Sequence, residues 1–146
     1  MATTLRHSPA KIIRQLLLDQ ALASASGDWQ CFYGREPTTP DNCLSVFESQ
    51  GVDAGFEMVA GQGLGHEGFQ VRVRGKDQDT ARTRADAVAS EFNAMMQAQY
   101  VTVGGQQYAV WPIAAGSPLH NGVEPGTNRD VYTINCVAAM DEWPLS

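Results

Sequence analysis

The sequence predicts an α+β fold, a mainly antiparallel sheet of four to five strands with two helices packed on one face. Three segments carry that expectation. Phe69 to Arg74 alternates Phe69, Val71 and Val73 with Gln70, Arg72 and Arg74, the period of a half-buried strand. Thr80 to about Gln97 spaces Ala81, Ala85, Val88, Ala89, Phe92, Met95 and Met96 three and four residues apart, the stripe of a helix lying on a sheet. Asp130 to Ala139 alternates again, with Tyr132, Ile134, Cys136 and Ala138 toward the core and Val131, Thr133, Asn135 and Val137 opposite.

The remaining elements follow in chain order. Ser8-Pro9 opens a helix from about Pro9 to Leu22, serine accepting from free N–H groups and proline fitting the first turn. At 100° per residue Ile12, Ile13, Leu16, Leu17 and Gln20 share the core half of the wheel. Leu18 and Leu22 fall on the opposite side with Lys11, Arg14, Gln15 and Asp19, which makes them candidates for a subunit contact. Trp29 to Tyr33 and Asn42 to Glu48 have strand character, separated by a loop containing Pro37 and Pro40. Gly51 to Gly68 is glycine-rich and expected to be a flexible loop. Gly75 ends the strand at Arg74, and Asp77 and Asp79 place negative charge at the start of the next helix. Tyr100 to Val103, Gly104-Gly105 and Gln107 to Ile113 read as a hairpin or as a strand with a lead-in. Ala114 to Asn128 is expected to be a second loop, and residues 141–146 a short tail carrying Trp143 and Leu145.

Both loops lie inside the apparent sheet order, so residues 1–146 are expected to form one domain, which at this length is enough for one core. No run approaches the roughly 18 to 20 apolar residues of a membrane span, and no export signal is seen, so a soluble protein is expected. Cys31, Cys43 and Cys136 are odd in number and lack C-x-x-C spacing, so they are expected to be buried small hydrophobes in a reducing compartment, the alternative being a Cys31–Cys43 disulfide or a catalytic thiol. The net charge of −6 argues against broad binding to nucleic acid, which needs many cations at phosphates.

Catalytic patterns are sparse. Gly63-Leu64-Gly65-His66-Glu67-Gly68 matches G-x-G-x-x-G, but a dinucleotide fingerprint follows a strand and opens a helix, whereas this one precedes a strand. His7, His66 and His120 are each isolated, without the spacing that places two metal ligands on one helix face. His66 and Glu67 are adjacent, and neighbours in an extended chain point apart. No enzyme activity, cofactor or metal is expected. A small hydrolase or ligand-binding domain using His66, Glu67 and His120 is the remote alternative.

Arg72, Arg74, Lys76, Arg82 and Arg84 concentrate positive charge in one window of an acidic chain. One reading is a solvated surface. The other is a strip meeting an acidic surface of a neighbouring copy, such as Asp53 and Glu57 or Asp141 and Glu142, in a heterologous contact that closes into a ring.

The run Gly68-Phe69-Gln70-Val71-Arg72-Val73-Arg74-Gly75-Lys76-Asp77 before an alanine-rich helix resembles phage minor capsid or tail terminator proteins. Pro40-Asp41-Asn42-Cys43-Leu44-Ser45-Val46-Phe47-Glu48 is similar to that family's first hairpin, and the element order matches along nearly the whole chain. The resemblance implies a virion protein assembled in the host bacterial cytoplasm. It would form a ring, usually hexameric, that caps the head-proximal end of the tail tube and docks the head–tail connector. Its partners would be itself, the tail tube protein and a connector or stopper protein, with DNA only passing through the lumen. A head-completion or stopper protein of the neck is the alternative within this class. The candidate interface residues are Leu18, Leu22, Arg72, Arg74, Arg82, Arg84, Trp143 and Leu145.

Overall fold

The computed structural model describes residues 5–53 and 65–143. Among these residues two helices and eight strands run in the order α1 (Pro9–Asp19), β1 (Gln30–Tyr33), β2 (Cys43–Asp53), β3 (Gly65–Gly75), α2 (Gln78–Asn93), β4 (Gln99–Val103), β5 (Gln106–Val110), β6 (Ala114–Ala115), β7 (Leu119–Val123) and β8 (Asp130–Trp143). The strands form one sheet of order β1-β2-β3-β8-β5-β4, with β6 and β7 also paired to β8. The α+β class holds, but the sheet is larger than expected and mixed.

The mixed character comes from β1, which runs parallel to β2, while the other pairings between the described strands are antiparallel. A parallel neighbour cannot be reached by a tight turn. The link through residues 34–42 therefore travels across one face of the sheet, where Pro40 O accepts from Arg74 Nη2 at 2.7 Å and Thr38 O accepts from Arg129 Nη1 at 2.6 Å.

The core lies on the other face. Ile12, Ile13, Leu16 and Leu17 of α1 and Ala81, Ala85, Val88, Ala89 and Phe92 of α2 are buried there. They pack against Leu44, Val46, Phe69, Val71, Val73, Ile134 and Cys136, and Phe69 meets Phe92 edge to face at 6.2 Å. Both helix starts are capped as the sequence implies. Ser8 Oγ accepts from Lys11 N at 3.2 Å and Asp77 Oδ1 from Thr80 N at 2.8 Å. The Thr80 bonds hold the exposed Asp77 carboxyl below its usual pKa. Gly104 and Gly105 both have positive φ (54° and 84°), as a two-residue hairpin turn between β4 and β5 requires.

Gly75 has a different role. A Cβ there would stand 2.7 Å from Ala81 N and 2.9 Å from Ala81 Cβ, so only glycine lets the end of β3 touch the first turn of α2. Gly75→Ala is expected to cost about 1–3 kcal/mol through overpacking, measurable as a lowered urea midpoint.

Several expected boundaries move. The helix expected to reach Leu22 ends at Asp19, because Gln20 caps it and Ala21 turns to φ 58°. The second helix ends at Asn93, leaving Met95 partly buried against the core and Met96 91% exposed. Within the expected loop 51–68, residues 51–53 extend β2 and residues 65–68 extend β3, while 54–64 lie outside the described residues. Gly65 and Gly68 are thus strand residues, with Gly68 opposite Ser49 on one side and Val137 on the other. The expected loop 114–128 contains β6 and β7. These pair with Cys136–Val137 and with Asp130, Tyr132 and Thr133, in succession along the β8 edge that β5 occupies further on. Leu119 and Val123 of β7 are 57% and 54% exposed, so an alternating apolar pattern was never needed to form that strand.

Candidate assembly surfaces

Alternation sorts each strand between the helix-covered face and the opposite one. On the opposite face, Cys43, Ser45, Arg74, Val131 and Thr133 are nevertheless buried, because the 34–42 link and residues 124–129 close over that end. Arg74 and Arg129, 1% and 4% exposed, anchor the closure. Arg74 Nη1 lies 3.6 Å from Glu124 Oε2. Arg129 donates to Glu124 Oε1 from Nε at 3.1 Å and again from Nη2, while its Nη1 reaches Asp41 Oδ1 at 3.3 Å. Burial raises the Glu124 pKa, but the Arg129 and Thr127 hydrogen bonds and the charges of both arginines outweigh it and hold the carboxyl below its usual range.

Most of the expected basic strip is engaged within the chain. Arg74 is an interior residue with its guanidinium committed to Glu124, Pro40 and Asp41, which removes it from any surface of the folded chain. Arg72 Nε stands 3.6 Å from Glu36 Oε2, an ion pair too long to be a hydrogen bond. Arg82 is exposed and pairs with Asp86 one turn on. Arg84 lies over the Trp29 ring at 4.6 Å and donates to Leu22 O at 2.9 Å, tying α2 to the segment after α1.

Leu18 and Leu22 are half-buried against the core and not exposed on a free helix face. The wheel misplaced Leu22 because the helix has already ended, and Leu22 N instead returns to Leu17 O at 3.0 Å. Leu18→Asp with Leu22→Asp is therefore expected to lower folding stability by about 2 kcal/mol, half the burial value of two leucines, read as a drop in melting temperature. Leu145 lies outside the described residues.

Trp143 defines a surface that the sequence only hinted at. Because β8 runs four residues past its expected end, alternation carries Asp141 and Trp143 onto the helix-free face. There Trp143 meets Tyr100 of β4 with ring centroids 5.5 Å apart, across the small Ala109 of β5, which pairs with both Tyr100 and Asp141. Trp111 Nε1 donates to Asp141 Oδ2 at 3.2 Å. Tyr100 and Trp111 are 50% and 40% exposed, so this end of the sheet presents three aromatic rings around a carboxylate. Continuing the alternation from Ala139 would have found Trp143; Tyr100 and Trp111 carried no signal without the strand pairing.

The three histidines are not brought together into a site. His120 Nε2 is 2.9 Å from Asp130 Oδ1 and its ring stacks on Tyr132, His7 Nδ1 contacts the Tyr108 hydroxyl, and His66 pairs across the strands with Val52 and Ala139. Among the described residues no cluster of three or more His, Cys, Asp or Glu could hold a metal, and no helix is long and apolar enough to cross a membrane. The cysteines are buried and unpaired, and burial pushes the Cys31 and Cys136 thiols up to about 12. A thiol held neutral in this way is a packing group and a poor nucleophile.

Among the described residues, nothing covers the exposed Tyr100 and Trp111 rings beside Asp141. The chain belongs to a family of bacteriophage tail proteins: the family model for bacteriophage tail terminator protein matches residues 14–142. No curated protein matches it.

Proposed function

We propose that this chain closes the head-proximal end of a phage tail tube as a ring, with six copies as the expected number, ending tube polymerisation and offering a surface to the head–tail connector. The observation that carries this reading, beside the family membership, is the bare aromatic end at Tyr100, Trp111 and Trp143. Aromatic residues at an exposed patch are the anchors that protein interfaces use most. Its partners are other copies of itself, the tail tube protein and a connector or stopper protein, and the finished protein resides in the virion after assembly in the host cytoplasm. DNA passes through the lumen without being held. The net charge of −6 suits such a passage, since cations facing phosphates would retard it.

The test is deletion of the gene from a host carrying the phage's structural genes, followed by negative-stain imaging of the particles. Tails of uncontrolled length beside filled, tailless heads are expected. Tails of normal length that fail only to attach would move the protein to the head side of the neck and overturn the terminator assignment.

A further inference from the structure

The ten basic residues divide by partner into two sets of five. Arg6, Arg72, Arg74, Arg82 and Arg129 each have a carboxylate within reach. Among the described residues, Lys11, Arg14, Arg35, Lys76 and Arg84 do not. Three of these five, Lys11, Arg14 and Arg35, line one cleft of about 430 Å³ along the outer edge of β1. Its walls include the rings of Tyr33 and Phe32, under Lys11 Nζ and the Arg35 guanidinium, each 5.8 Å from a ring centroid. Among the described residues no carboxylate lines it.

The backbone of this edge is already occupied at Cys31. Cys31 N donates to Ser24 O at 3.1 Å, and Cys31 O accepts from Arg14 Nε at 2.8 Å. An added strand would find the ladder blocked at Cys31, which leaves side chains as the main hold on whatever docks. Cations resting on aromatic rings suit a carboxylate flanked by aromatic groups. The patch of Asp141, Trp111, Trp143 and Tyr100 is such a ligand, and Asp141 has no cationic partner among the described residues. The sheet order puts the two surfaces toward opposite ends, β1 at one and the β8-β5-β4 corner at the other. Contact between them in different copies is head to tail, and a head-to-tail contact closes into a ring when its rotation allows.

We infer that the cationic cleft of Lys11, Arg14 and Arg35 receives the Asp141 aromatic patch of a second copy. The inference rests on the ring reading above and names the contact that builds the ring. It relocates the basic half of the contact from the β3–α2 window to the β1 edge.

The test uses the full chain in two charge-reversed forms, Lys11→Glu with Arg35→Glu, and Asp141→Lys, with circular dichroism to verify folding and sedimentation velocity to read assembly. Arg14 is left intact because it holds Cys31 O. Each variant alone is expected to associate at least about tenfold more weakly than the unaltered chain, a scale set by close interfacial charge pairs. An equimolar mixture should recover assembly, because each reversed surface then meets its complement on the other variant. Unaltered assembly of the single variants overturns this contact and leaves the ring reading standing. Loss in both variants without recovery on mixing shows that the two surfaces serve different partners, and it also overturns the contact. An unaltered chain that stays monomeric at every concentration overturns self-association itself.

Discussion

Phe92→Ala is expected to cost about 3–5 kcal/mol, seen as a lower urea midpoint with little change in slope. Phe92 is fully buried on the last turn of α2, edge to face with Phe69 in the middle of β3. Its ring ties the helix to the sheet near the point where β3 is flanked by β2 on one side and β8 on the other. Truncation leaves a cavity that the surrounding strands cannot close, since Val71 and Val73 are paired on both sides, to Val46 and Leu44 of β2 and to Ile134 and Tyr132 of β8. A near-neutral result would mean that α2 does not pack through this residue, and the helix-covered face would need redrawing.

The success of that part of the sequence reading has a physical reason. Helix and strand periods are imposed by burial, so they are written wherever one face is dry. Phe69, Val71 and Val73, the stripe from Ala81 to Phe92, and Tyr132 to Ala138 all face one core and all alternated legibly. Segments without that constraint left no period. β7 pairs through its backbone at the flank of β8 with its large side chains in water, and β1 is a short edge strand whose parallel direction depends on where the 34–42 link is anchored. Neither anchor, Arg74 or Arg129, could be told from a surface cation by its position. Arg74 in particular alternates with Val73 as a solvent-facing residue would, and it is buried because another segment covers it. The candidate surfaces were legible to the same degree. Trp143 was visible as a large apolar residue near the end, whereas its companions Tyr100 and Trp111 come from strands that meet β8 only in three dimensions. Lys11 and Arg14 were placed correctly on the outer side of α1, but the cleft they make needs Arg35 from the far end of β1.

Glu124→Gln tests the covered end of the sheet. The substitution keeps the shape and removes the carboxylate that two buried guanidinium groups share, leaving Arg129 with the exposed Asp41 and the Thr38 carbonyl, and Arg74 with carbonyl oxygens alone. Stranding a buried charge costs far more than the pair itself contributes, so a loss of about 3 kcal/mol is expected at pH 7. The pH dependence has a definite sign. Because Glu124 is held below its usual pKa, its contribution is complete above the ordinary glutamate range and fades as pH falls through the lowered value. Urea unfolding of the parent and of Glu124→Gln should therefore differ most near neutrality and converge in acid, where protonated Glu124 and glutamine are both uncharged. A gap that persisted unchanged at low pH would show that packing, and not the shared charge, holds residues 34–42 and 124–129 over the sheet.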